Sequence, residues 1–284
     1  MKINLQGKVI VLTGASRGIG AKIAEDLGRQ GAHLVLAARD IHNLQKVALT
    51  VEAVGGKASL VACDVSKASD RTQLLEKAME QGPIDVLINN AGIEDPVAVL
   101  DLLPEEVEAQ ITVNLQAPIE LTRLVLPQMI ERHEGCIVNI SSMSGKTATP
   151  YNAIYAATKH GLNGFTSSLR IELKGSGVNA GVVCPSFVDA GMWADSGASA
   201  PALMKVVSAA AVVKGVQKVM EGKGEVLVTP SPVRPLLALG QLMPFLEPAV
   251  MNWMGVTAAL RERAQIAVKR RKEGLNPPSK GNRM

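Results

Sequence analysis

Seven short runs rich in β-branched residues recur along the chain: KVIVL (8–12), HLVLA (33–37), ASLVA (58–62), IDVLI (84–88), CIVNI (136–140), VNAGVV (178–183) and EVLVT (225–229). The longer stretches between them, 18–30, 41–54, 69–80, 104–131, 151–174 and 203–221, carry apolar residues at the 3.6-residue period of a helix with one buried face. Strands that alternate with helices of this length pair in parallel, because a parallel return needs a long crossover that a tight hairpin cannot provide. Right-handed crossovers then stack helices on both faces of the sheet. The expectation is an α/β protein with a doubly wound, parallel, seven-stranded sheet in three α/β/α layers. Nearly continuous apolar runs suit strands covered on both faces. With aromatics at only 2%, the core must be aliphatic.

Charge is unevenly placed. From Arg261 to the end there are eight basic residues against Glu262 and Glu273, so this tail carries +6 of a formal net +4 and the rest of the chain about −2. A body with no basic face and few stacking aromatics is not expected to bind nucleic acid. Cys63, Cys136 and Cys184 are widely spaced in apolar runs, which fits buried thiols in a reducing compartment better than a disulfide framework. His33, His42, His133 and His160 lack paired ligand spacing, so no metal site is expected. The opening apolar run is too short for a secretory leader, and no uncharged run approaches the ~18 residues of a membrane-spanning helix.

TGASRGIG (13–20) sits where the first run ends and the first helix begins, a context in which backbone N–H groups at a helix start hold a pyrophosphate. Gly14 allows the tight turn, Gly18 the close approach of a ligand and Gly20 the packing of helix on strand, with Ser16, Arg17 and Ile19 in the same cradle. The second run ends in LAARD, with Ala38 where a ribose-binding carboxylate would stand and Arg39 beside it. Arg17 and Arg39 supply two guanidinium groups for a 2′-phosphate, so NADP(H) is expected rather than NAD(H). The plainer alternative has Asp40 capping the next helix and Arg39 as a surface charge. Asp64 and Val65, past the third run, fit contacts to an adenine ring, and Asp64 fits a helix cap equally well. Asn90, Ala91 and Gly92 of NNAG end the fourth run, where backbone can approach a cofactor at the carboxyl edge of the sheet; a plain turn is the alternative.

PYNAIYAATKHG (150–161) contains both tyrosines of the chain and places Lys159 one helical turn after Tyr155. An ammonium close to a phenol favours the phenolate and brings its pKa from about 10 towards neutrality, making a proton donor and acceptor. Ser142, 13 residues earlier at the end of the fifth run, is placed to donate to a carbonyl oxygen that becomes an alkoxide as hydride arrives. Asn114, a poor helix former within a long helical stretch, can reshape the backbone to hold a water between the lysine and solvent. Tyr151 has neither spacing and reads as a helix-start residue bordering the pocket.

Together TGASRGIG, NNAG, Asn114, Ser142 and YAATK (155–159) resemble the short-chain dehydrogenase/reductase family, the subgroup with a TGxxxGxG loop and a YxxxK pair, over roughly residues 5–230. The resemblance implies a Rossmann-type sheet, hydride transfer between a nicotinamide and a carbonyl or alcohol, and a homodimer or homotetramer. It also implies that Tyr155 is the general acid/base, that Ser142 polarises the carbonyl and that Asn114 orders a relay water. Lys159 would bind the nicotinamide ribose and depress the tyrosine pKa. The chain departs from the family's Pro-Gly-x-Val-x-Thr segment: CPSFVDAGM (184–192) has Ser186 for the glycine and Ala190 for the threonine, which leaves the Val188 backbone to hold the carboxamide.

These readings divide the chain into an NADP-binding and catalytic domain, 1–230, and an apolar helical extension with a basic tail, 231–284, within the same domain or covering it. MWADSGASAPALM (192–204) falls where the family has its mobile substrate lid, so the resemblance implies that Met192, Trp193, Leu203 and Met204 line an apolar pocket; ordinary packing is the alternative. Residues 235–260, with Glu247 as their only charge and Pro244 and Pro248 as breaks, allow three roles: a cover over the pocket or a subunit interface, a peripheral membrane patch helped by the basic residues up to 272, or plain packing. The expected activity is an NADP(H)-dependent oxidoreductase of an apolar ketone, aldehyde, steroid-like or acyl-like substrate in the cytoplasm, with membrane association at the periphery as an option. The rivals are a catalytically silent nucleotide-binding scaffold or redox sensor, against which the intact Asn114, Ser142, Tyr155 and Lys159 set argues, and a sugar-nucleotide epimerase, whose glycine loop is spaced differently.

Overall fold

The computed structural model describes residues 4–201, 205–230 and 234–273. Its strands are β1 (Val9–Thr13), β2 (His33–Ala38), β3 (Lys57–Ala62), β4 (Ile84–Asn89), β5 (Gly135–Ile140), β6 (Val178–Pro185) and β7 (Glu225–Val228). Its helices are α1 (Gly18–Arg29), α2 (Ile41–Ala53), α3 (Ala68–Met79), α4 (Pro104–Ile111), α5 (Ala117–Glu131), α6 (Ala153–Glu172), α7 (Ala209–Met220), α8 (Arg234–Leu242), α9 (Glu247–Trp253) and α10 (Val256–Lys272). The strands form one parallel sheet in the order β3-β2-β1-β4-β5-β6-β7, the doubly wound Rossmann-type arrangement.

Strand periodicity sorts the core into two layers. From β1, Ile10 and Leu12 point to the layer of α1, α2 and α7, where they meet Ile23, Leu27 and Val212, while Val9 and Val11 point to the layer of α3, α5 and α6. Burying each of these aliphatic side chains contributes about 1.5–3 kcal/mol, and such residues make up nearly all of the core, with Tyr155 buried and Phe165 packed against one layer. Cys63, Cys136 and Cys184 are free and buried, as expected.

The strand order reverses between β1 and β4, and at this switch point a crevice opens beyond the carboxyl ends of the strands. Two predicted helices are reshaped there. The stretch 104–131 is helical throughout, as expected, but α4 and α5 are joined by a π-type segment over Thr112–Gln116, with Asn114 in its middle. The stretch 151–174 begins helically only at Ala153, because Tyr151 takes a left-handed φ of 62° that no helix accommodates. Helix α7 starts at Ala209, where Ser208 caps it by accepting from the Ala211 N–H (3.2 Å); Leu203 and Met204 lie outside the described residues.

After β7 the chain folds α8, α9 and α10 back over the crevice. Val256, Ala259, Leu260 and Ala264 of α10 are buried, whereas Leu242, Phe245 and Trp253 are 81%, 72% and 75% exposed. Among the described residues, no helix is long and apolar enough to cross a membrane.

Candidate active site

A cavity of about 1750 Å³ runs along the carboxyl edge of the sheet. That is larger than the ~300–1,000 Å³ of a small-ligand site, and has room for a dinucleotide with a second molecule beside it. One end is lined by Gly14, Ser16, Arg17, Gly18, Ile19, Gly20, Ala38, Arg39, Asp64, Val65, Asn90, Ala91 and Gly92. The loops after β1 and β4 are tied together here. Thr13 Oγ1 accepts from the backbone N–H groups of Asn90 and Ala91 (3.0 and 3.1 Å), and Asn90 Nδ2 donates to the carbonyls of Thr13 and Gly14 (3.0 Å each). Asn90 thus works through its side chain, as a fastener of the glycine loop.

The residues at this end fit a dinucleotide. A Cβ on Gly20 would stand 2.2 Å from the Gly14 carbonyl oxygen, and one on Gly14, whose φ is +64°, 2.8 Å from Ala91 Cα, so only glycine permits the cradle. Gly20 therefore serves the loop's own closure rather than the helix-on-strand contact expected. No side chain caps the start of α1 and no acidic residue lies in its first turn, which leaves the positive end of the helix facing the cavity. Asp40 does cap α2, accepting from the Asn43 N–H (3.0 Å), while Arg39 still lines the cavity. Arg17 lines it too, but its guanidinium pairs with Asp195 across the mouth. One carboxylate oxygen of Asp64 accepts from the Ser66 N–H and hydroxyl (3.0 and 2.7 Å), a local turn that leaves the residue on the cavity wall.

Three of the four catalytic candidates, Ser142, Tyr155 and Lys159, line the cavity, and Asn114 lies buried outside its wall. Asn139 of β5 donates to Thr166 (2.8 Å) and Asn163 to the Gly145 carbonyl (2.7 Å), pinning α6 to the sheet and to the turn that carries Ser142. Tyr155 and Lys159 share the buried face of α6, with the Lys159 ammonium 5.5 Å from the centre of the Tyr155 ring and donating to the Ile140 carbonyl (3.0 Å). Ser142 hydrogen-bonds the Tyr155 phenol and accepts from the Ser144 N–H (3.1 Å). Asn114, fully buried, accepts from the Ile93 N–H and donates to the Ile93 carbonyl (2.8 Å each), so its side chain locks the β4 loop. A Cβ on Gly92 would sit 3.4 Å from Asn114 Oδ1 and 3.7 Å from Lys159 Nζ; its absence leaves space between them.

The acidities differ from the simple expectation. Burial pushes the Tyr155 phenol well above its ordinary range, reinforced by the negative charge of Glu94 and opposed by the Ser142 hydrogen bond and Arg263. Burial lowers Lys159 to about 8. The ammonium beside the ring does not overcome desolvation of the phenol, because it is turned towards the Ile140 carbonyl.

The far end of the cavity is apolar. Phe187, Met192, Trp193, Val250, Met254 and Leu260 line it, drawn from the segment after β6 and from the extension. Met192 and Trp193 are thus on the pocket wall. The Phe187 carbonyl accepts from the Val207 N–H and the Asp189 N–H donates to the Val207 carbonyl, so the Val188 N–H and carbonyl point the other way along this extended segment. Ser186 Oγ is buried with no hydrogen-bond partner among the described residues.

Three functional features escaped the sequence reading. Glu94, just after NNAG, is buried and bound to Arg263 of α10, and Asn152 donates to the same carboxylate (2.7 Å). From the sequence, the basic residues up to 272 are expected only as help for a membrane patch. Tyr151 does not border the cavity; its hydroxyl accepts from Arg261 (2.8 Å) and holds α10 in place. Among the described residues no group of three His, Cys, Asp or Glu side chains is placed to hold a metal ion.

The geometry agrees with known proteins. The short chain dehydrogenase family model matches residues 8–200. The ketoacyl reductase HetN of Nostoc sp. is 40% identical over 273 residues, 93% of this chain and 95% of that protein. The D-beta-hydroxybutyrate dehydrogenase of Cupriavidus necator is 35% identical over 185 residues, 65% of this chain and 72% of that one. A crystal structure of a metagenomic short-chain oxidoreductase in complex with NADP superposes with a TM-score of 0.69 at 36% identity, covering 81% of this chain and 99% of the other. Sheet order, glycine cradle and the paired tyrosine and lysine thus find the same company in sequence and in structure: the chain belongs to the short-chain dehydrogenase family, oxidoreductases that use a nicotinamide cofactor on the CH–OH/C=O couple.

Proposed function

We propose that this protein is an NADPH-dependent reductase of a ketone carried on an apolar chain, with a 3-ketoacyl thioester as the leading substrate class. The observation that carries this reading is a set of apolar side chains, Phe187, Met192, Trp193, Val250, Met254 and Leu260, that line the same cavity as Ser142 and Tyr155, with half of them supplied by the extension. The likeness to a ketoacyl reductase spans 93% of the chain, beyond the family model's residues 8–200. Residues 1–230 are the cofactor-binding and catalytic part, and of the extension 231–284 the described residues 234–273 act as a cover over its substrate pocket, the others lying outside the described residues.

Gly14, Ser16, Gly18, Ile19 and Gly20 would hold the pyrophosphate, Arg17 and Arg39 the 2′-phosphate, Asp64 and Val65 the adenine, and Ala91, Gly92, Tyr155 and Lys159 the ribose and ring side. The unpartnered Ser186 hydroxyl and the Val188 backbone are placed to hold the carboxamide in the absence of the family's threonine. When bound, the cofactor supplies the hydride to the carbonyl carbon. Ser142 donates a hydrogen bond to the carbonyl oxygen, and Tyr155 transfers its phenolic proton there as negative charge develops. A phenol held protonated by burial is matched to reduction, which consumes a proton, more than to oxidation. Lys159 then stabilises the phenolate, and the π-type turn at Asn114 gives the proton supply a route past Gly92. A homodimer or homotetramer is the proposed assembly.

The test is NADPH consumption with a panel of acyl thioesters bearing a 3-keto group, matched against small ketones and steroids. Preference for the thioesters supports the reading; turnover confined to small polar ketones overturns the substrate class, and no turnover of any carbonyl overturns the activity.

A further inference from the structure

The extension reaches the reaction centre through one buried ion pair. Glu94 and Arg263 have side chains that are each 7% exposed, and they meet in a two-pronged contact between the loop after β4 and helix α10. The same carboxylate accepts from Asn152, the residue before the first turn of α6, the helix of Tyr155 and Lys159. The same guanidinium donates to the Met192 carbonyl (3.0 Å) and lies 5.1 Å from the Trp193 ring, which packs on Phe187 at 4.2 Å. Two charges therefore join three walls of the substrate pocket.

Arginines seven and eight positions on repeat the pattern on the same face of α10. Arg270 donates to the Asp195 carbonyl (3.3 Å), and Arg271 pairs with Glu106 (2.7 Å) and donates to the Asp101 carbonyl (3.3 Å). The basic stretch of this helix is thus a docking face, directed at the substrate rim and at acidic residues around it.

We propose that Glu94 and Arg263 are positioning residues for the reaction: a clasp by which α10 holds Met192 and Trp193 against the start of the catalytic helix and so fixes where the substrate carbonyl lies. This rests on the reading of the site as a carbonyl reductase. A buried pair of this kind adds little net stability over an apolar pair, but removing one partner leaves a charge stranded. Its placement beside Tyr155 gives it a second signature. The phenol faces Lys159 from its own helix, Ser142 and Cys184 from the sheet edge, Glu94 from the β4 loop and Arg263 from α10; Glu94 raises its proton affinity and Arg263 lowers it.

The experiment uses full-length Glu94→Gln, Arg263→Met, Arg263→Lys and the double variant Glu94→Gln/Arg263→Met, which strands no charge and so keeps its fold. With a 3-ketoacyl thioester, KM is expected to rise about tenfold in the single variants while NADPH affinity is unchanged, with partial recovery in Arg263→Lys. The limb of kcat/KM that falls as Tyr155 deprotonates should move to higher pH in Arg263→Met and to lower pH in Glu94→Gln, and return in the double variant. Shifts of the same sign in both single variants, or loss of NADPH affinity in step with KM, would show a merely structural staple. A readout independent of turnover uses a Trp253→Phe background, in which Trp193 is the only tryptophan. Acrylamide quenching of Trp193 should rise in Arg263→Met and in the double variant, and unchanged quenching overturns the clasp. A wild type that reduces no carbonyl would defeat the functional reading while leaving this result to decide the clasp.

Discussion

Lys159→Met should make the protein more stable at pH 7 and less so at high pH, because the lysine is held against its preference. Its ammonium is buried, bound to one carbonyl at 3.0 Å, and its pKa lies at about 8 against an ordinary 10.5. Below pH 8 the lysine is protonated folded and unfolded, and the native state bears the full cost of the buried charge, about 3 kcal/mol for a displacement of that size. Between pH 8 and 10.5 the unfolded chain keeps the proton that the folded chain has lost, so this group's contribution to stability rises with pH by about 1.4 kcal/mol per unit. Methionine removes both cost and slope, and leaves the Ile140 carbonyl without its donor at about 1 kcal/mol. The variant should therefore gain about 2 kcal/mol at pH 7, with the advantage shrinking from pH 8 upward, reversing near pH 9.5 and becoming a deficit of about 1 kcal/mol by 10.5. Urea unfolding at half-unit steps of pH measures the difference directly. A difference independent of pH, or a variant already less stable at pH 7, would refute the claim that burial sets the lysine's acidity.

Three further outcomes follow from the geometry. Gly20→Ala, whose Cβ would press on the Gly14 carbonyl at 2.2 Å, should lose about 1–3 kcal/mol in thermal or urea unfolding and weaken NADPH binding in a fluorescence titration. Arg39→Asp should raise KM for NADPH by about tenfold or more and improve use of NADH; unchanged preference would remove Arg39 from the phosphate site. The full chain should stay at the bottom of a flotation gradient with anionic vesicles, because Arg261, Arg263, Arg270 and Arg271 are engaged in docking α10; flotation would assign the exposed Leu242, Phe245 and Trp253 to lipid.

Much of the sheet was legible because its information is local. A β-branched run bounded by turn residues encodes a strand, and TGASRGIG encodes a strand end, a tight turn and a helix start in eight consecutive residues. Tyr155, Lys159 and Ser142 were legible for the same reason: helical spacing places the first two, and a strand end places the third. What was not legible depends on residues far apart in the chain. Glu94 and Arg263 are 169 positions apart, and nothing near either announces the other. The acidity of Tyr155 was misread because proximity to a lysine is visible in sequence and desolvation is not. The reshaping of the helix at Asn114 was foreshadowed by its poor propensity, but its π-type turn is imposed by the contact with the Ile93 backbone.

The central claim is that the Tyr155 phenol delivers the proton in carbonyl reduction, and Tyr155→Phe tests it with one oxygen atom removed. The variant should bind NADPH with wild-type affinity in a fluorescence titration, while kcat for the substrate that the wild type reduces best falls by about 10²-fold or more. Undiminished turnover in that variant would contradict the account.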